Sequence, residues 1–195
     1  MSAQTKRRPI SAQSGMVLVT ALLLLIVVTL LAVGMFRSFG LDEKIAGNVR
    51  EKQRALAAAE TAEQYAEYWL ASGNSTTGVA CSATVAASVG QICTTAPPSV
   101  TSVVNGLWQN SSGASVGVTY TPTVQTAMNV TTAGGVGTYY YQPAFYITYL
   151  GITSNGLGKL YQIDAAGFGG SADTVAVVES TYLVQTGTSC LSCSQ

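Results

Sequence analysis

The hydrophobic pattern changes character twice along the chain. From Met16 to Phe36 no charged residue interrupts an apolar run. A helix over that run is about 30 Å long, the thickness of a hydrocarbon core. Apolar residues then fall at Leu41, Ile45, Val49, Leu56, Ala59, Ala62, Ala66, Trp69 and Leu70. The steps are mostly three, four or seven, which is one helical face. Between Asn48 and Ser72 there is no Gly or Pro, and strong helix formers dominate. Ser72-Gly73-Asn74-Ser75 supplies a stop signal. The pattern therefore predicts one helix from about residue 16 to 71, about 84 Å long. The rest of the chain is too small to cover it. Its front half must lie in lipid or among similar helices. Gly34, Gly40 and Gly47 interrupt the helix, each at a cost of about 1 kcal/mol against Ala. They read as helix packing or mild curvature; a segment that unwinds on leaving lipid is the sharper reading.

After residue 74 the pattern becomes strand-like. Ala114–Pro122 alternates, with Val116, Val118 and Tyr120 expected on one side. Thr138–Ile152 places Tyr139, Tyr141, Phe145, Ile147 and Tyr149 at alternate positions, with Pro143 as a bulge or edge signal. Gly158–Ala165 and Asp173–Gln185 read as a strand pair joined by the Gly-rich Ala166–Ala172. Pro97-Pro98 reads as a turn in a loop-rich stretch. The expected fold class is α+β: a long N-terminal helix whose second half packs on an antiparallel sheet of about four strands. Ala59, Ala62, Ala66 and Trp69 are its expected contacts with the sheet.

Charge sharpens this division. Of nine basic and nine acidic residues, only Lys159, Asp164, Asp173 and Glu179 lie beyond residue 70. No basic patch exists there, so nucleic acid is not an expected partner. On the helix, Lys44, Arg50, Lys52 and Arg54 precede Glu60, Glu63 and Glu67. A solvated face explains such charges. The alternative is staggered packing between subunits, basic band against acidic band, with Lys52 and Glu63 about 16 Å apart along the axis.

The basic cluster Lys6, Arg7 and Arg8 precedes the apolar run and marks the cytoplasmic side. The four cysteines, Cys81, Cys93, Cys190 and Cys193, follow the run and so face an oxidising compartment. Pairing Cys81 with Cys93 and Cys190 with Cys193 closes the shortest loops. A zinc site lacks histidine and a second C-x-x-C knuckle. A redox role for Cys190 and Cys193 lacks a helix start. Asp164 and Asp173 are too far apart for a D-x-D-x-D-G calcium loop. Gly167–Gly170 has no Lys-Ser/Thr after it and is no phosphate loop. Without histidine a Ser-His-Asp triad is impossible. No enzyme, cofactor or metal is expected. Tyr139, Tyr140 and Tyr141 read as packing more readily than as an adhesive patch.

A secretory h-region is shorter than this run, and small residues follow it. Here the processing signal, Gly15 after a short basic leader, stands in front. That arrangement resembles the type IV pilin-like proteins. QRALAAAETAEQYAEYWL (Gln53–Leu70) is similar to the A-x-x-A-A-E-x-A segment of the PilX minor pilins, and YQIDAAGFGGSADTVAVVESTYLV (Tyr161–Val184) to their closing hairpin. The resemblance implies a leader at residues 1–15, cut between Gly15 and Met16 by prepilin peptidase, with Met16 N-methylated. It implies a transmembrane and filament-core helix at 16–37, a periplasmic amphipathic helix at 38–72 and a β-rich head at 73–195. Other minor pilins, the major pilin and the inner-membrane assembly platform are the implied partners. The implied locations are the inner membrane, N-terminus cytoplasmic and head periplasmic, and the extracellular pilus. Thr20 occupies the place where major pilins carry a glutamate that offsets a neighbour's amino terminus. An unpaired buried ammonium costs several kcal/mol, so Thr20 implies a place at or near the filament tip. Roles in priming assembly, twitching motility, adhesion and surface sensing follow from the family. The alternatives are a minor pseudopilin of type II secretion and a single-pass anchor for a surface-binding module.

Overall fold

The computed structural model describes residues 14–97, 99, 101–121, 128–135 and 137–185. One α-helix, α1, spans Ser14–Trp69, close to the expected range. It ends in a wide turn, Leu70–Asn74, where Gly73 takes φ +95°, a left-handed conformation that suits glycine. Ser72 Oγ donates to Tyr68 O at 2.8 Å and Asn74 Nδ2 to Trp69 O at 2.8 Å. These bonds satisfy carbonyls that the last turn leaves without partners.

The chain divides into two compact units, with the boundary between Gly47 and Asn48. The first contains the front of α1. Every large apolar side chain there from Met16 to Phe36 is at least 43% exposed. The second contains the remainder of α1 and seven strands: β1 Thr84–Ala86, β2 Ile92–Cys93, β3 Trp108–Gln109, β4 Ser115–Thr119, β5 Ala144–Ile152, β6 Gly158–Phe168 and β7 Val175–Gln185. The order is β1-β4-β5-β6-β7, with β2 beside β5 and β3 beside β4. The four long strands β4 to β7 are antiparallel. The expected sheet of about four strands is thus the centre of a larger, mixed sheet, because β1–β4 and β2–β5 run parallel. Strands of two or three residues are too short for an alternating pattern to announce them.

The sheet buries both faces. Ala62, Ala66 and Leu70 of α1 pack with Val118, Phe145, Ile147, Tyr161, Ile163 and Ala165. The opposite face gathers Cys93, Trp108, Val116, Ala144, Tyr146 and Ala166. Val116 and Val118 therefore lie in different clusters, contrary to the expected alternation. Gly117 between them has φ +114°, and that residue turns the strand over. The expected strand at Thr138–Ile152 begins only at Ala144, after Pro143, which has no N–H for a ladder. The hairpin loop expected at 166–172 falls instead at 169–174, since β6 continues to Phe168 and β7 begins only at Val175.

Small residues let α1 and β6 approach closely. Ala55, Ala59, Ala62 and Ala66 are fully buried. A Cβ on Gly167 would stand 2.3 Å from Ala55 O and 2.4 Å from Ala59 N. Backbone meets backbone there, and no side chain fits. The expected helix contacts are met: Ala59, Ala62 and Ala66 are buried, and Trp69 is partly buried against the same core cluster; farther along that helical face Val49 is 50% and Leu56 42% exposed.

Candidate assembly surfaces

In the first unit, Gly15 and Met16 lie in the opening turn of α1. A Cβ on Gly15 would meet no atom within 4 Å, and the same holds at Gly34, Gly40 and Gly47. Nothing among the described residues demands these glycines. The Thr20 hydroxyl donates within its own helix, 3.1 Å from Met16 O and 3.0 Å from Val17 O, and brings no charge. Lys44, also here, is exposed.

In the second unit the helical charges separate by role. Arg54 is held inside the head: Nη1 pairs with Glu51 Oε1 at 3.0 Å, Nη2 donates to Thr138 O at 2.6 Å, and its guanidinium lies 4.6 Å over the Tyr139 ring. Lys52 Nζ donates to Val175 O at 2.5 Å. Arg50 is exposed. The anticipated basic band is thus partly spent on fastening α1 to the sheet. Glu51 completes this fastening. Its Oε2 accepts the Gly170 N–H at 2.7 Å. That bond, aided by Arg54, holds the Glu51 carboxyl below its ordinary value. The sequence reading passed over Glu51; its i,i+3 spacing to Arg54 was the available signal.

Glu60, Glu63 and Glu67 have no basic partner among the described residues. Burial, then the neighbouring Glu63, raises the Glu67 carboxyl above its ordinary value. On the flank of α1 beside the β7 edge, Val49, Gln53, Leu56, Thr101, Val175 and Val177 line an apolar groove of about 540 Å³.

Cys81 and Cys93 form a disulfide with Cα atoms 5.4 Å apart. It ties the segment after α1 to the second core cluster, and a loop this short is worth about 3 kcal/mol in the chain-entropy model. Cys190 and Cys193 lie outside the described residues. The tyrosine run packs: Tyr141 meets Phe168 edge-on with centroids 5.1 Å apart and donates to Asn105 Oδ1 at 3.0 Å.

Asp164 and Asp173, weighed together in the sequence, are apart in kind. Asp173 is exposed in the β6–β7 turn. Asp164 is fully buried in β6. Burial pushes its carboxyl up to about 6, against the pull of a hydrogen bond from Gln162 and with Glu179 adding to the rise.

An uncovered apolar helix that enters a β-rich head is the architecture of the pilin class. Two family models match this chain: PilX N-terminal over residues 14–62, and type IV pilus assembly protein PilX C-terminal over residues 53–184. The chain belongs to the PilX family of type IV pilus assembly proteins, a family of pilus components and not of enzymes. No curated protein and no solved structure matches it.

Proposed function

We propose that this minor pilin is cut between Gly15 and Met16 by prepilin peptidase and methylated on Met16. It then waits in the inner membrane with its head in the periplasm and enters the pilus at or near the tip. There it joins other minor pilins to prime assembly, ahead of the major pilin, and supports twitching motility, adhesion and surface sensing. The observation that carries this reading is the bare apolar surface from Met16 to Phe36. Lipid is its solvent before assembly, and neighbouring helices are its solvent afterwards. The steric freedom at Gly15 adds support, because a glycine that the fold does not need is free to serve a peptidase. Thr20 supports the tip: its hydroxyl donates within the helix and brings no negative charge to offset a neighbour's ammonium.

Two measurements test the reading. Mass spectrometry of the protein from sheared pili is expected to show an N-terminus at N-methyl-Met16; an intact Met1 would overturn processing and favour a plain anchor. Deleting the gene is expected to lower surface pili and leave protein secretion unchanged. The reverse pattern would identify a pseudopilin.

A further inference from the structure

The two ends of the sheet differ. One ends in β1, only three residues long. The other ends in β7, eleven residues long, which pairs along its whole length with β6 and with no other strand among the described residues. Natural sheets protect an open edge by keeping it short, or by placing Lys, Pro or a bulge on it. The β1 edge is short. The β7 edge has none of these protections: it carries no Lys and no Pro, and its register with β6 runs unbroken from Gly158↔Gln185 to Phe168↔Val175. Its sequence, VAVVESTYLVQ, holds a single charge, Glu179.

The register also fixes which backbone groups this edge offers. The Gly169 N–H donates to Thr174 O at 2.8 Å, so the next pair, Phe168 and Val175, exchanges no ladder bonds. Val175 O points outward instead and accepts from Lys52 Nζ. Alternation then turns the N–H and C=O of Val177, Glu179, Thr181, Leu183 and Gln185 outward as well. None of these groups has a partner among the described residues. The side chains of Glu179, Thr181, Leu183 and Gln185 are exposed, while Tyr182 and Val184 between them pack on the core beside α1.

Outward N–H and C=O groups in strand alternation fit an extended chain, which adds main-chain bonds at the edge and places alternate side chains in pockets beside it. Such a pocket is present: the apolar groove of Val49, Leu56, Val175 and Val177 lies at the start of β7. Glu179 narrows the choice of chain. An opposite charge across a strand pair stabilises it and a like charge does not, and Glu179 has no basic partner among the described residues. In the strands of a second copy the only basic residue is Lys159, which sits on the interior strand β6 and donates to Ser75 O. Residues 186–195 hold no charge at all. We infer that the outer edge of β7 takes up a strand from a different pilus subunit, one with a Lys or Arg opposite Glu179 and an apolar side chain over the groove. This contact presupposes that the chain enters the pilus with other minor pilins, as proposed above.

The test places the photoreactive residue p-benzoylphenylalanine at Leu183 of the full chain in piliated cells, irradiates sheared pili and maps the adduct by mass spectrometry. An adduct to a strand of another pilus subunit is expected. Thr181→Pro removes an outward N–H and leaves the β6 ladder intact, the one kind of strand position that tolerates proline. It is expected to lower the adduct several-fold, with the melting temperature of the chain in detergent unchanged within about 2 °C. Glu179→Lys is expected to lower the adduct as well, and the fold should hold because buried Asp164, opposite it in the register, gains a cation. In pili that contain the protein, an adduct to a second copy, to residues 186–195 of the same chain or to no subunit would overturn the inference. If Thr181→Pro melts lower than that limit, Glu179→Lys decides, and an undiminished adduct defeats the proposal. A chain absent from pili altogether would bring down the reading above, and this contact with it.

Discussion

Two carboxylates in the head are displaced in opposite directions, and each leaves its mark on stability. Glu51 is held low by the Gly170 N–H. Its contribution is present above the unfolded value and is lost as pH falls through the folded one. Asp164 is raised from 3.8 to about 6 by burial. The folded state then holds a proton that the unfolded state has released. Stability from this group is full below about pH 4 and is lost as pH rises through about 6, by up to about 3 kcal/mol. The groups facing Asp164 are Tyr146 from β5 and Glu179 from β7. Asp164→Asn is expected to raise the urea midpoint at pH 7.5 and to change it little at pH 4. Equal shifts at both pH values would show that the raised carboxyl is not the cause. At this scale the sequence was only partly legible. It singled out Asp164 but paired it with Asp173, because chain distance was visible and strand register was not. It found Cys81–Cys93 because loop closure needs no tertiary information. It missed Glu51, whose partner Gly170 lies across the fold.

The α1–β6 contact decides how the elements fit. The alanine row on α1 was readable from its spacing, and so was the small-residue run of Tyr161–Val184. What the sequence did not disclose is that Gly167 faces the helix backbone itself. A Cβ there would lie 2.3 Å from Ala55 O, and a backbone oxygen cannot swing aside as a side chain can. Gly167→Ala is expected to destabilise the head by at least about 3 kcal/mol, the upper range for overpacking. Gly47→Ala meets no atom within 4 Å and gains about 1 kcal/mol of helix propensity, so head stability should not fall. Urea melts of both variants in detergent check the pair, and a well-folded Gly167→Ala head would contradict the close approach. The four long strands were legible from their alternation. The short strands β1, β2 and β3 were not, and Gly117 split a valine pair that alternation had placed together. Local backbone torsion overrode the period at that position.

For the whole molecule, the helix has surfaces that its own head leaves uncovered. Glu60, Glu63 and Glu67 lack basic partners among the described residues, whereas Lys52 and Arg54 are engaged within the head. If the acidic row meets the exposed Lys44 and Arg50 of neighbouring subunits, replacing all three glutamates by Gln should reduce incorporation into sheared pili several-fold. The head's melting temperature should stay within the small change typical of surface substitutions, about 0.5 kcal/mol in stability. Immunoblots of the pilus fraction against whole cells provide the measure, and unchanged incorporation would remove these residues from assembly. The long apolar run made the helix obvious from sequence. The division of its charges between internal fastening and free surface emerged only with the fold. Glu51, Lys52 and Arg54 span about one helical turn and grip three separate points of the head: Gly170, Val175 and Thr138. A pull along α1 within the head is therefore borne at three points, and one of them, Val175 O, belongs to β7 itself, so the load passes straight into the sheet through that strand.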